Sequence, residues 1–232
     1  GVTSKLANDL ADAILNSDDI DTVKEGVPAY LLLIDSFLRS SPNSEDLLLA
    51  ASSLNSAYSI FTDGERAKLL TAKSFNYALR ATCVSRKSLC DFRSLDFAEY
   101  KTTVDGMVVA DVPVAYATAV SWAGWIQANT DDWNAIAELS KVKYLMERVI
   151  VLDESWDSGG PHLYMGALET VFPASMGGNP GKGKDHFEKA LELSSNEYLM
   201  TKVIYAEQYA RLIFDQELHD RLLNEVVAAD PV

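Results

Sequence analysis

The chain has 232 residues, 48% of them hydrophobic and 23% charged, with a formal net charge of −14. This is the composition of an ordinary globular protein, long enough to bury a sizeable core. An acidic chain without a Lys/Arg cluster excludes nucleic-acid binding, which rests on basic contacts to phosphate, and argues against direct binding to an anionic bilayer.

No run of about 18 uninterrupted apolar residues marks a transmembrane helix. No signal peptide is visible, but a targeting segment removed before Gly1 is compatible with that, so a cytoplasmic location does not follow. Apolar residues recur at helical spacing almost throughout, and strand-like alternation is scarce. A weak helix is expected over 3–15. Asp21-Thr22 supply a cap for the next, whose run Ala29-Tyr-Leu-Leu-Leu-Ile34 is apolar on nearly every side and predicts a central helix. Ser40-Ser-Pro-Asn-Ser44 breaks it, and Asn43 or Ser44 caps a helix over 45–61. Asp63-Gly64 turns the chain into a fourth helix, with Ala67, Thr71, Ser74, Phe75, Ala78 and Leu79 on one face.

Residues 85–112 are the least regular. The stretch 90–97 reads as a short helix, and Val104-Asp-Gly-Met-Val-Val109 as a strand or extended loop. Asp111-Val-Pro113 then opens a helix: Asp caps it, and Pro fits the first turn, where its missing N–H costs nothing. Two helices run on to about Asp153, broken near Leu139-Ser140. After Asp157-Ser-Gly-Gly-Pro161 come a helix over 162–172, a Gly/Pro-rich turn over 173–183, and helices over 184–194, 197–214 and 216–228. The fold class expected is all-α, about eleven helices in a single domain over 1–232, with an irregular insert around 85–112.

One phrase recurs near helix ends: Phe75-Asn-Tyr-Ala78-Leu79, Met146-Glu-Arg-Val149-Ile150, Phe187-Glu-Lys-Ala190-Leu191 and Leu223-Asn-Glu-Val226-Val227. The spacings are 71, 41 and 36, and the last is near the tetratricopeptide (TPR) period of about 34. The array is therefore TPR-like and irregular. Regular repeats build open grooves, whereas an interrupted array is a better container.

Cys83 and Cys90 stand seven residues apart. On one continuous helix they would be about 10.5 Å apart along the axis, too far for a disulfide, which favours free, mostly buried thiols. A helix ending near Ser85 would let a loop bring them together, and an oxidising compartment favours the bond.

Few segments suggest chemistry. Gly178-Asn-Pro-Gly-Lys-Gly183-Lys184-Asp185 matches part of a phosphate-binding loop, but Asp185 stands where a Ser/Thr is needed and no strand precedes it. A turn between helices is the better reading. His162, His186 and His219 lack metal-ligand spacing and read as helix-surface or hydrogen-bonded core residues. Ser140-Lys-Val-Lys143 matches Ser-x-x-Lys by helical accident, and no Gly-x-Ser-x-Gly elbow is present. Glu207, Arg211 and Asp215, like Glu217 and Arg221, fall at i,i+4 and read as helix-supporting pairs worth about 0.3–0.5 kcal/mol each. A catalytic pair such as Glu207 and Asp215 is the enzyme alternative, and the carboxylate spacing favours structure over it. The aromatic residues Tyr116, Trp122 and Trp125 lie in a helix otherwise built from Ala, Val, Thr and Gly, with Trp133 just beyond. They read either as core packing or as the wall of an apolar ligand cavity, with Tyr144 and Tyr164 as weaker candidates.

Several phrases together resemble one family, the T-component of tripartite ATP-independent periplasmic (TRAP) transporters. They are Val27-Pro-Ala-Tyr-Leu-Leu-Leu-Ile-Asp35, Asp111-Val-Pro113, Trp122-Ala-Gly-Trp-Ile126, Asp131-Asp-Trp-Asn-Ala-Ile-Ala137 and Met146-Glu-Arg-Val149. Further on come Leu152-Asp-Glu154, Gly159-Gly160, His162-Leu-Tyr164, Ala206-Glu-Gln-Tyr-Ala-Arg-Leu212 and Phe214-Asp-Gln-Glu-Leu-His-Asp220. The resemblance implies a periplasmic lipoprotein of TPR-like helix pairs that docks the transporter's solute-binding subunit and handles a small apolar ligand. It implies neither an enzyme nor a cofactor. The lipid-bearing cysteine that starts such a mature protein is absent, so the implied anchor belongs to a removed segment. Asp230-Pro231 falls where the last apolar face needs cover from a further helix or another subunit. A homo-oligomer, taken as a trimer, is expected. The competing reading is a generic TPR scaffold that binds peptide or protein segments in an open groove.

Overall fold

The computed structural model describes residues 17, 19–176 and 178–229; the helix expected over 3–15 lies outside them. Among the described residues there are eleven α-helices, several 3-10 turns, one π-helical segment and no strand. The chain divides into two compact units between Leu145 and Met146. The first holds α1 (Ile20–Ser40), α2 (Glu45–Ser59), α3 (Gly64–Ser85), α4 (Phe97–Asp105), α5 (Val112–Ala128) and α6 (Trp133–Ala137). The division falls within α7 (Leu139–Leu152). The second unit holds α8 (Trp156–Thr170), α9 (Pro180–Leu193), α10 (Leu199–Ile204), the π segment Tyr205–Ala210 and α11 (Gln216–Val227).

In the first unit α1 is capped by Asp19, two residues before the cap expected at Asp21-Thr22; the Asp19 carboxylate accepts from the Thr22 N–H at 3.0 Å and its hydroxyl at 2.6 Å. Val23, Val27, Leu31, Ile34 and Leu38 recur three or four residues apart and form a single buried face against α2. Leu32, 72% exposed, and Leu33 point elsewhere, so α1 is one-faced, not central. A run of apolar residues covers every direction of a helix, but burial follows the partner helix. Pro28 cannot donate to Lys24 O, and the Tyr58 hydroxyl of α2 donates to that carbonyl instead, at 3.3 Å.

Ser44 caps α2 as expected, accepting from Leu47 N. Small residues let the next helices approach. Ser74 Oγ of α3 donates to Ser52 O at 2.8 Å, and the Thr82 and Thr118 hydroxyls join α3 to α5 at 2.9 Å. After α3 the chain reverses through 3-10 turns at Lys87–Leu89 and Phe92–Ser94. That reversal corrects the expectation of free thiols: α3 stops at Ser85, and Cys83 and Cys90 form a disulfide with Cα atoms 4.1 Å apart. Within the proposed strand or loop, Val108 is extended but pairs with no strand. Asp111 does not cap α5 through its side chain; its Oδ2 accepts from Val108 N at 2.9 Å and Arg86 Nη1 at 2.8 Å.

In the second unit α8 and α9 pack through glycine. A Cβ on Gly166 would lie 2.8 Å from the Phe187 ring, and one on Gly183 would lie 2.6 Å from Thr170 Cγ2. The helix expected from 184 begins at Pro180, because Asn179 caps it onto Lys182 N at 3.2 Å and Pro fits the first turn. Phe187 stacks on Tyr205 at 4.9 Å within a core that includes Leu163, Ala190, Ala206, Tyr209 and Leu222. Glu207 and Arg211, like Glu217 and Arg221, form no ion pair among the described residues. Glu207 lies on the wider π turn, and Asp215 instead caps α11 through Leu218 N at 2.9 Å.

Candidate functional site

The aromatic helix α5 sits in a cluster within the first unit. Trp122 is fully buried, stacked on Phe75 at 5.1 Å, with Phe92 and Tyr100 edge-on at 6.4 and 6.3 Å. Into this cluster comes Arg93. Its guanidinium lies 4.8 Å from the Phe75 ring centre and 4.9 Å from that of Trp125. Glu138 completes the arrangement: it accepts from Arg93 Nε and Nη2 at 3.0 Å each, and from Trp122 Nε1 at 2.7 Å. Lys141 fixes the turn that carries Arg93, donating to Arg93 O and Leu95 O at 2.7 Å. Burial raises the Tyr100 hydroxyl pKa, which keeps it protonated as it donates to Lys141 O at 2.8 Å.

The six aromatic residues singled out by sequence are therefore not in one place. Trp122 and Trp125 share Phe75 and Arg93, and Tyr116 is half-buried on the same helix. Tyr144 donates to Asp105 Oδ1 at 2.7 Å, beside Phe97 and Lys101. Trp133 stands 80% exposed on α6. Tyr164 belongs to the second unit, where burial raises its pKa.

Two further features escaped the sequence. His162 Nδ1 and His186 Nδ1 lie 2.9 Å apart in the second unit, so one ring donates and the other accepts; His162 Nε2 is 3.4 Å from Glu154 Oε2. Burial is the largest cause that lowers both pKa values, and for His186 the neighbouring His162 lowers it further. Among the described residues no group of three or more His, Cys, Asp or Glu is placed to hold a metal ion. The phosphate-loop match also dissolves, since Pro180 to Asp185 form the first turns of α9.

The second feature is a cleft of about 220 Å³ bounded by α1, α2 and α3. Pro28, Leu31, Leu32, Leu69 and Leu70 give it apolar walls, and Asp35, Asn55, Arg66 and Lys73 also line it. Asp35 accepts from Lys73 Nζ at 2.9 Å and from the Tyr77 hydroxyl, whose pKa burial and that carboxylate push up. The signal in sequence was slight: an Asn between Leu54 and Ala57, and an Arg two turns before Lys73.

The family model for the TRAP transporter T-component matches residues 16–232. The chain belongs to that family. No curated protein matches it. As a TRAP T-component it has an accessory role in a transporter, a kind of part that is normally non-enzymatic. Among the described residues no single helix is long and apolar enough to cross a membrane.

Proposed function

We propose that this T-component works in the periplasm, docks the solute-binding subunit of its transporter and encloses a small apolar ligand without transforming it. Family membership over nearly the whole chain carries the reading. The Cys83–Cys90 disulfide supports it, because such bonds persist in oxidising compartments such as the periplasm. The apolar cleft and the small-residue helix bearing Trp122 and Trp125 support the ligand role, since sites of this kind are mostly apolar with a few placed polar groups. TPR-like stacking of the helix hairpins, a lipid anchor and self-association belong to the same reading.

The test has two arms. The purified protein is titrated with apolar solutes while tryptophan emission is followed, and it is used as bait for the solute-binding subunit of its transporter. A saturable emission change and capture of that subunit are expected. No response to any solute removes the ligand role. Capture of unrelated peptides without that subunit favours a general scaffold.

A further inference from the structure

One end of the first unit gathers exposed apolar side chains from three helix termini. The Tyr58 hydroxyl donates to Lys24 O at 3.3 Å, and Lys24 Nζ lies 5.5 Å from the Phe61 ring centre, which sets the start of α1 against the turn from α2 to α3. Lys68 Nζ of α3 meets Asp131 Oδ2 at 2.9 Å and ties the turn before α6 to the same end. Ile20, Ile60, Phe61 and Trp133 stand there 55%, 77%, 39% and 80% exposed. Together they offer on the order of 500 Å² of apolar surface, a size at which an exposed patch marks an interaction site. Trp133 is also held in place: Asp132 accepts from Asn134 N at 2.9 Å and so caps α6, and Ala135 two residues on is fully buried. A large aromatic side chain on a fixed backbone has little freedom to lose on binding, and Trp is the residue most favoured as an anchor.

The charges around the patch decide its occupant. Residues 19–25, 60–68 and 131–133 carry seven carboxylates against three cations. Two copies meeting through this end would set those like charges against each other, and an anionic bilayer is repelled in the same way. A different protein with an apolar pocket inside a rim of Lys and Arg is complementary to it. We propose that the solute-binding subunit of the transporter docks on this end of the first unit, with Trp133 filling the pocket as the central anchor, Ile60 and Phe61 beside it, and the carboxylates facing the basic rim. The apolar patch with its charged surround reaches the roughly 800 Å² per partner of a specific complex. The inference rests on the docking reading and names its surface and the chemistry of the facing one.

The test is surface plasmon resonance of the purified solute-binding subunit of its transporter over the immobilised chain. Trp133→Ala should weaken binding at least about tenfold, and Trp133→Phe, which keeps a ring, should retain most of the affinity. Glu65→Lys reverses a rim charge whose side chain is 94% exposed; it should slow association several-fold at low salt, with the difference disappearing at high salt. Two controls separate anchoring from folding and from general stickiness. Trp133→Ala should melt with the unmodified protein, and Phe214→Ala, which removes an aromatic ring 93% exposed in the second unit, should bind as the unmodified protein does. If the unmodified chain binds and Trp133→Ala binds equally well, or if Phe214→Ala weakens binding as much, the subunit docks elsewhere and only this surface is lost. If Trp133→Ala instead abolishes self-association, or attachment to phosphatidylcholine vesicles, and leaves subunit binding intact, the patch serves that contact and the assignment is overturned. If the unmodified chain does not bind the subunit, the docking reading falls and the inference with it.

Discussion

Glu138→Ala tests whether the aromatic cluster is held by charge and hydrogen bonding together. The substitution deletes three hydrogen bonds at once: the buried Trp122 N–H and both donors of Arg93 lose their acceptor. Trp122 is fully enclosed, so no water reaches its N–H; an unmade bond there costs about 1–3 kcal/mol. The Arg93 side chain is 35% exposed and can be partly rehydrated, so its loss adds only about 1 kcal/mol or less. The sum is about 1–4 kcal/mol, and at about 2–4 °C per kcal/mol for a chain of this size the melting point falls by roughly 2–16 °C. Glu138→Gln keeps one acceptor for Trp122 and should lose about half as much. Urea unfolding followed by both tryptophan emission and far-ultraviolet dichroism measures it, with agreement of the two probes establishing a single transition. If Glu138→Ala stays within about 0.5 kcal/mol of the unmodified protein, the cluster is held by ring packing alone and the reasoning is refuted.

Replacing Cys83 and Cys90 together by Ser should cost about 2.5 kcal/mol, the chain-entropy value for so short a loop, and reductant should lower the melting point of the unmodified protein only. Both imidazoles of the His162–His186 pair resist protonation when folded, so the unfolded chain binds more protons below about pH 6.5. Stability from this source is full above that pH and declines as pH falls; Glu154, Glu169, Lys182, Asp185 and Lys189 lie around the pair, so His186→Asn is the control that should flatten the decline. Gly166→Ala should destabilise by about 1–3 kcal/mol in calorimetry, because the new methyl meets the Phe187 ring at 2.8 Å.

Features whose cause is local were legible in the chain itself. Ser44 before Glu45 and Pro113 after Asp111 each follow from capping or proline chemistry within four residues. The repeated phrase likewise marked buried positions in three helices, at Phe75 and Ala78, Met146 and Val149, and Phe187 and Ala190. In α11 it failed, where Val227 is 85% exposed, because periodicity says which face a helix offers and not whether a partner covers it. The disulfide turned on where α3 ends: at Ser85 the chain can fold back, and one more turn would have carried Cys90 away. The site was hardest to read because its contacts are distant in sequence. Arg93 meets Glu138 across 45 residues and His162 meets His186 across 24, and neither spacing carries a helical or motif signature. Asn55 becomes notable only through the partner its Oδ1 lacks, which no spacing reveals.

We propose that this T-component works by docking a solute-binding subunit. Size-exclusion chromatography with light scattering, on the chain mixed with the solute-binding subunit of its transporter, tests that most directly. A co-eluting complex of defined mass is expected. Separate elution at concentrations well above those in the periplasm, with both proteins folded by dichroism, would contradict it.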